Sequence, residues 1–233
     1  MSEFFSTKAL YSCDIPWLSD LWEGAEYPWE LLPRIGPLAQ RLVEEGIPGF
    51  ERIAPGVLAG PGVTVAPTAT LIGPAVLGPG TEVRPGAYLR GKVLAGPECV
   101  IGNSTELKNC LLLRRVQVPH YNYVGDSVLG NFAHMGAGSI CSNLRSDGQN
   151  VVIRGEKDHS TGMRKVGAFL GDGADVGCGC VLNPGTVIGC RSSVYPLTAL
   201  RGVYPPDHII KSTSNYVPRA AKIVQNEKRE SQS

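Results

Sequence analysis

An aliphatic residue recurs every six positions through the middle of the chain. The first series runs without interruption from Ile53 to Leu113, and a second runs from Leu170 to Leu200. Four positions after each member the side chain is again small or aliphatic, as Val57 is after Ile53. We therefore predict that both positions point into a buried interior. The members are Ile53, Ala59, Val65, Leu71, Leu77, Val83, Leu89, Ala95, Ile101, Leu107 and Leu113, then Leu170, Val176, Leu182, Ile188, Val194 and Leu200.

This period predicts a solenoid of short strands. A six-residue spacing does not match the 3.6-residue turn of an α-helix, and proline recurs throughout the repeats. Short strands separated by turns, each burying one aliphatic and one small side chain, stack into coils that share a continuous core. The 29 glycines and 18 prolines fit the turns of such a fold. We therefore predict an all-β solenoid, a parallel β-helix, over residues 49–205.

The period fails at three places. The step shortens to five between Leu113 and Val118 and again between Val124 and Leu129. It is lost altogether in a polar insertion at 142–165, and long loops inside compact domains are usually functional or disordered. Irregular coils in a regular solenoid are where function tends to lie, so we expect the site there.

The segments that flank the solenoid lack the period. Residues 1–48 contain all three tryptophans and predict short helices, which we expect to cap the open end of the solenoid. Residues 206–233 predict a C-terminal extension with a further strand-like or helical piece. The polar terminus from about Asn226 is predicted to be disordered.

The charge balance narrows the class of partner. The chain has 22 basic and 21 acidic residues and a formal charge of +1, which does not favour binding to nucleic acid or to an anionic membrane. We find neither a secretory signal pattern nor an apolar run of about 20 residues, the length that a membrane span requires. We therefore expect a cytoplasmic protein.

The cysteines do not predict a disulfide framework. Their number, seven, is odd, so reduced thiols are expected, most of them as compact fillers of the core. Cys178 and Cys180 form a C-x-C pair that lacks the spacing of a zinc site, and we predict no bound metal.

The segment VPHYNYVGDSVLGNFAHMGAGSICSN, from Val118 to Asn143, contains the polar residues with the most specific pattern. It combines a histidine, a tyrosine, a Gly-Asp pair and a Gly-Ala-Gly motif, and GNSTELK precedes it. These motifs resemble the acetyltransferase half of bacterial N-acetylglucosamine-1-phosphate uridyltransferase/glucosamine-1-phosphate acetyltransferase, and archaeal two-domain sugar-1-phosphate nucleotidylyltransferases. The resemblance covers roughly residues 50–205. It implies a left-handed β-helix, acetyl-coenzyme A as co-substrate, an amino-sugar phosphate as acceptor, and a homotrimer with sites between neighbouring solenoids.

Two residues are candidates for the chemical step. His120 is the expected general base, because an amine must lose a proton as it attacks a thioester and imidazole titrates near neutrality. The resemblance implies the same role. The backbone amide of Ala137, between two glycines, is the expected oxyanion donor.

Two cations are candidates for binding the phosphate of the acceptor. Arg90 and Lys108 lie 18 residues apart, and each directly follows an inward aliphatic residue. Since three six-residue repeats make one coil in the resembled fold, they should stack in adjacent coils. The resemblance implies that an Arg and a Lys in this arrangement bind a sugar phosphate. Arg84 is the competing candidate on a different face, and two solvated surface cations remain the alternative.

The resemblance assigns further contacts. It implies that Tyr123, His134 and Asn143 bind the acceptor sugar, and that Ala137 and three residues of later coils contact the pantetheine arm mainly through backbone. Those three residues are Gly177, Cys178 and Ser192.

The sequence also departs from the resembled families. His134 stands where the bacterial enzymes have Asn, and LRSDGQNVV after Asn143 lacks the lysines of the relatives, which Lys157 or Lys165 would have to replace. The acceptor sugar is therefore left open. There is also no Gly-rich nucleotidyltransferase signature, so we do not expect this chain to make nucleotide sugars by itself.

Two other function classes are compatible with a solenoid of this kind. A γ-class carbonic anhydrase uses this solenoid but needs a close histidine pair, whereas the four histidines here are far apart in sequence. A non-catalytic sugar-phosphate-binding or trimerising module is the stronger alternative, against which His120 and Asn143 argue.

Overall fold

The computed structural model describes residues 4–219, most of which form strands of two to seven residues separated by turns. Three short helices precede the strands, with 3-10 turns at Pro16–Leu18 and Pro28–Leu31. The helices are α1 (Thr7–Leu10), α2 (Ser19–Trp22) and α3 (Leu32–Glu45). The strands are β1 (Glu51–Ala54), β2 (Val57–Ala59), β3 (Thr64–Val65), β4 (Thr70–Ile72), β5 (Ala75–Leu77), β6 (Glu82–Val83), β7 (Tyr88–Arg90), β8 (Val93–Ala95), β9 (Val100–Asn103), β10 (Glu106–Leu112), β11 (Gln117–His120), β12 (Tyr123–Leu129), β13 (His134–Met135), β14 (Ile140–Cys141), β15 (Val152–Arg154), β16 (Asp158–Ser160), β17 (Ala168–Leu170), β18 (Asp175–Val176), β19 (Val181–Leu182), β20 (Thr186–Ile188), β21 (Ser193–Val194), β22 (Ala199–Leu200), β23 (Val203–Tyr204), β24 (His208–Ser212) and β25 (Asn215–Pro218).

The strands stack in parallel into three faces. The first face contains β3, β6, β9, β11, β13, β18, β21 and β24. The second contains β4, β7, β10, β12, β14, β19 and β22, and the third contains β2, β5, β8, β10, β12, β17, β20 and β23. The strands β10 and β12 belong to two faces because each continues around the corner between them. This arrangement confirms the predicted parallel β-helix.

The buried interior follows the predicted columns over most of their length. In the third face Leu77, Ala95 and Leu112 stack in register, and all three are fully buried. The inward aliphatic position of this coil is therefore Leu112, whereas the six-residue spacing predicted Leu113. Leu113 is buried in a second cluster outside the solenoid, and Ile53 is 44% exposed, so the inward prediction was wrong for both residues. Ile53 belongs to β1, which runs antiparallel to β2 and is not a repeat coil.

The two short coils have a backbone explanation. Stacked interior residues are 18 apart between Leu77 and Ala95 but 17 apart between Ala95 and Leu112. In β10 and β12 the corner is turned by one left-handed residue, Asn109 with φ 47° and Asp126 with φ 49°. Asn and Asp tolerate this conformation better than most side chains. The first short step therefore precedes Leu112 and not Val118, one repeat earlier than predicted.

The N-terminal helices cover a side of the solenoid. Helix α3 packs across β5, β8, β10 and β12. Its buried residues, which include Ile35 and Leu42, form one apolar cluster with the outward side chains of the third face. The predicted role as a cap on the open end was wrong, because the apolar outer surface of the third face is what the helices bury. That surface consists of Leu58, Val76, Leu94, Leu111, Val128, Phe169 and Val187.

The insertion at 142–165 contains structure that its polar composition did not predict. Strands β15 and β16 form an antiparallel hairpin, and Ile153 and Val151 are buried against the same cluster as the helices. At the other end, β24 continues the first face and β25 pairs with it in the antiparallel sense. The predicted disorder from about Asn226 lies outside the described residues.

All seven cysteines are free thiols, and five of them are buried. Burial raises the pKa of Cys99 and Cys141 to about 12. Among residues 4–219 no cluster of three or more His, Cys, Asp or Glu is arranged to hold a metal ion. Within the same residues, no helix has both the length and the apolar character that crossing a membrane requires.

Candidate active site

His120 and Ala137 lie next to each other at the corner between the first and second faces. His120 ends β11, and its carbonyl accepts a hydrogen bond from the Gly138 amide at 3.0 Å. The Ala137 carbonyl in turn accepts from the Gly179 amide of the next coil at 2.8 Å, which brings Cys178 beside Ala137. His120, Ala137 and Cys178 are all exposed. The structure thus aligns three of the predicted site residues along one corner.

A buried asparagine that the sequence analysis missed holds this corner together. Asn122 is 2% exposed, and its side-chain oxygen accepts from the His120 amide at 3.0 Å. Its side-chain amide donates to the Gly136 carbonyl at 2.8 Å and to the Ser139 carbonyl at 3.3 Å. Asn122 stands four residues after Val118, where the repeat otherwise places a small residue. A polar side chain at this inward position is the feature of the sequence that could have identified Asn122.

The Ala137 amide has the environment that an oxyanion donor needs. It has no hydrogen-bond acceptor among the described residues, and the residue is exposed. Gly138 adopts a φ of 71°, and a Cβ built on it would meet nothing within 4 Å. A ligand can therefore approach this amide closely.

A buried carboxylate organises the corner between the second and third faces. Asp126 is 4% exposed, and the Lys108 ammonium donates to its two carboxylate oxygens at 2.8 and 2.9 Å. The Asn109 side-chain amide donates to the same carboxylate at 2.8 Å. Paired hydrogen bonds of this kind are what allow a charged group to stay buried. Asp126 was recognised in the sequence only as part of a motif.

Asn143 and Tyr123 join the same cluster. The Asn143 side-chain amide donates to Asp126 at 2.5 Å and to the Tyr123 hydroxyl at 3.1 Å. Gly125 leaves the space for this contact, because a Cβ there would lie 2.4 Å from the Tyr123 hydroxyl and 2.8 Å from the Asn143 side-chain nitrogen. Burial, and secondarily Glu106 and Asp126, raise the pKa of Tyr123. Lys108, Tyr123 and Asn143, predicted separately, therefore converge on Asp126.

Arg90 and Lys108 stack in adjacent coils, as their spacing predicted. Strands β7 and β10 pair with Leu89 opposite Leu107, the residues that precede them. Arg90 donates to Glu106 at 2.6 Å, so both cations already have a carboxylate partner. The competing candidate Arg84 bonds to Glu82 on the first face. Binding of phosphate by the stacked pair stays a prediction.

The other predicted site residues, His134, Gly177 and Ser192, do not lie together. His134 lies on the first face, with its Nδ1 2.8 Å from Asp175 in the next coil. Gly177 accepts a hydrogen bond from the Ser139 hydroxyl at 2.7 Å, next to the corner of Ala137. Ser192 is fully buried, and its hydroxyl donates to the Pro205 carbonyl at 2.8 Å. The Ser192 side chain therefore serves the core and is not presented to a ligand.

The fold and the repeat define a hexapeptide-repeat β-helix protein. Within that class, a family model described as GMPPB C-terminal domain matches residues 71–158. Over 97 residues the chain is 38% identical to the bifunctional sugar-1-phosphate nucleotidylyltransferase/acetyltransferase of Sulfurisphaera tokodaii, covering 41% of this chain and 24% of that protein. Over 180 residues it is 30% identical to the bifunctional protein GlmU of Methanococcus maripaludis, covering 76% of this chain and 44% of that protein.

Each of these matches spans less than half of the relative's length. A solved structure of AntD, an N-acyltransferase from Bacillus cereus in complex with dTDP and coenzyme A, matches with a TM-score of 0.48 and 16% identity, over 76% of this chain and 94% of that one. Its sequence is thus similar to part of a bifunctional sugar-1-phosphate nucleotidylyltransferase/acetyltransferase, the resemblance that its motifs indicated.

Proposed function

We propose that the protein is an acyl-coenzyme A-dependent N-acetyltransferase that acetylates the amino group of an amino-sugar phosphate or of a nucleotide-linked amino sugar. The observation that carries the proposal is the position of His120 beside the open Ala137 amide, at the corner that continues to Cys178. A base and an oxyanion donor side by side are what acyl transfer to an amine requires. The name of the Sulfurisphaera tokodaii relative, which includes an acetyltransferase activity, supports the same chemistry.

In the proposed reaction the acceptor nitrogen attacks the thioester carbonyl of acetyl-coenzyme A. A C–N bond forms as His120 takes the proton of the amine, and the negative charge on the carbonyl oxygen is stabilised by the Ala137 amide. Collapse of the tetrahedral intermediate breaks the C–S bond. The proton on His120 then passes to the departing thiolate, so the products are the amide and coenzyme A.

The second face is proposed to bind the acceptor. Asp126 fixes Lys108 and Asn143, and Asn143 fixes the Tyr123 hydroxyl, so that a sugar meets polar groups already held in place. Arg90 extends this surface to the preceding coil, on the N-terminal side of Lys108. His134 is proposed to contact the acceptor from the first face.

The donor is proposed to lie along the corner of Ala137, Gly177 and Cys178. Small residues there leave room for an extended pantetheine chain, whose amides would bond to backbone groups. A homotrimer is proposed with this corner facing a neighbouring solenoid, which would enclose a site that is exposed in the single chain.

A non-catalytic module, sugar-phosphate-binding or trimerising, is the second candidate. The observation that argues against the transferase is the pairing of Arg90 with Glu106 and of Lys108 with Asp126, which neutralises both predicted phosphate ligands of the acceptor. A phosphate would have to join or displace these carboxylates, at a cost in affinity.

Thiol release separates the two candidates. The purified chain is incubated with acetyl-coenzyme A and a panel of acceptors: glucosamine-1-phosphate, galactosamine-1-phosphate and nucleotide-linked amino sugars. Release of free thiol with any of them supports the transferase. Binding of coenzyme A or of a sugar phosphate without thiol release from the whole panel would overturn it in favour of the module.

A further inference from the structure

A cavity of about 570 Å³ lies where three distant parts of the chain meet. It is lined by the aromatic residues at the start of the described chain, the turn of the β15–β16 hairpin, and the last coil with its C-terminal hairpin. None of the residues that the proposed reaction uses lines it, although Lys157, which the sequence offered as a replacement for the lysines of the relatives, does. The cavity therefore has no role in the proposed acetyl transfer.

One side of the cavity is aromatic. Phe4 and Tyr216 line the cavity and are 37% and 43% exposed, so both rings are accessible to a ligand. The Tyr216 ring is held edge to face by Tyr204 at 5.7 Å and lies 5.8 Å from the His208 ring. Tyr204 is 2% exposed, and its hydroxyl donates to the Arg201 carbonyl at 3.1 Å. The exposed Tyr216 ring is thus held in place by the buried Tyr204 ring.

The rim of the cavity is cationic. Arg201 and Lys157 both line it, and neither has a carboxylate partner within residues 4–219. Arg154 is paired with Asp158, so the remaining Asp, Glu, Lys and Arg side chains that line the cavity are Glu156 and the two cations. These cations differ from Arg90 and Lys108, whose charges are already neutralised.

We propose that this cavity binds a nucleoside phosphate. A flat base stacks on aromatic rings with little dependence on its identity, as in single-stranded nucleic-acid sites, and a guanidinium offers a fork of donors to phosphate oxygens. Phe4 and Tyr216 supply the rings, while Arg201 and Lys157 supply the charge. The volume falls in the usual range for small-molecule sites, about 300–1,000 Å³.

The site is separate from the corner proposed for the donor. Arg201 follows Leu200 of β22, at the corner between the second and third faces, whereas Ala137 and Cys178 lie at the corner between the first and second. The adenosine diphosphate portion of coenzyme A contains the same chemical group as a free nucleotide. The experiment must therefore distinguish these two sources.

Isothermal titration of the full chain with ADP, GDP and UDP tests the site. Saturable binding of at least one nucleotide is expected, with an affinity at least tenfold lower in Arg201→Ala and in Tyr216→Ala. Arg115→Ala is the control, because Arg115 is also exposed and lies over the Phe132 ring but does not line the cavity and is paired with Glu98. Its affinity should equal that of the unaltered chain, and far-UV circular dichroism checks that each variant folds.

Three results would overturn the proposal. These are no binding of any of the three nucleotides, equal affinities in the control and both cavity variants, or competition in which acetyl-coenzyme A displaces the nucleotide and Arg201→Ala weakens both ligands alike. The last would assign the cavity to the donor. Since none of these readouts requires turnover, failure here is distinguishable from failure of the proposed acetyl transfer.

Discussion

The Lys108 ammonium lies 2.8 and 2.9 Å from the two carboxylate oxygens of Asp126, one coil further along the solenoid. This contact determines what the acceptor surface can offer a ligand. The carboxylate also holds Asn143, which in turn holds the Tyr123 hydroxyl. One buried acid therefore positions three residues that the sequence predicted independently.

Asp126→Asn should lower both stability and acceptor affinity. The substitution removes a charge that accepts from Lys108, Asn109 and Asn143, and hydrogen bonds to charged groups contribute about 1.5–3 kcal/mol each. We expect the free energy of unfolding to fall by about 2–4 kcal/mol, since Asn can keep part of the network. Urea denaturation measures the loss, and the acceptor KM should rise while the KM for acetyl-coenzyme A does not.

Asp207→Asn is the matched control. Asp207 forms an exposed pair with Arg191, and such pairs contribute about 0–1 kcal/mol. Equal losses of stability in the two variants would contradict the assignment of Asp126.

Gly125→Ala should weaken acceptor binding without a comparable loss of kcat. The added Cβ would lie 2.4 Å from the Tyr123 hydroxyl, so the ring must move away from Asn143. Losing one aligned hydrogen bond to the sugar should raise the acceptor KM about tenfold. Gly155→Ala is the control, because its nearest neighbour would be 3.4 Å away, and it should behave like the unaltered chain in the same kinetics. An unchanged acceptor KM in Gly125→Ala would remove Tyr123 from the acceptor site.

Arg90→Ala should affect the acceptor and spare the donor. A charge-assisted contact to phosphate is worth about 1.5–3 kcal/mol, which corresponds to a rise of about 10- to 100-fold in the acceptor KM. The comparison is Arg84→Ala, whose guanidinium is paired with Glu82 on the first face and should leave both KM values unchanged. If Arg90→Ala raised both KM values equally, its role as a phosphate ligand would be excluded.

The core of the solenoid could be predicted because burial repeats with the coil. Around Leu77 and Ala95 the six-residue pattern is regular, so only one assignment of inward positions fits the sequence. The three consecutive leucines at 111–113 are different, since any of them satisfies a hydrophobic pattern. The left-handed residue Asn109 decides that Leu112 points inward, and this backbone choice is not encoded in hydrophobicity.

The candidate site was predictable only where a motif or the 18-residue spacing of the coils marked it. His120, Tyr123 and Asn143 stand in a recognisable segment, but the burial of Asp126 depends on groups 17 or 18 residues away that meet only after the coils stack. The sequence does carry a signal for the covering role of the N-terminal helices. Leu58, Val76 and Leu94 recur every 18 residues at an outward position, which indicates an apolar face that needs a partner.

Stability should fall at alkaline pH because of two buried thiols. Burial raises the pKa of Cys99 and Cys141 from 9.0 to about 12. Between these values the unfolded chain loses the thiol protons while the folded chain keeps them, so the free energy of unfolding decreases as the pH rises. Urea unfolding from about pH 8 to about pH 11 should show a smaller decrease in the double variant Cys99→Ala, Cys141→Ala than in the unaltered chain. Parallel curves would mean that the thiols ionise equally in both states.

Thiol release by His120→Ala tests the central claim most directly. With an acceptor that the unaltered chain acetylates, removal of the general base should lower kcat by about 10²- to 10⁴-fold while coenzyme A binding and the thermal midpoint are retained. His134→Asn is the comparison, because its ring is held by Asp175 on the first face and should alter the acceptor KM more than kcat. A His120→Ala variant that releases thiol at the rate of the unaltered chain would contradict the proposed mechanism.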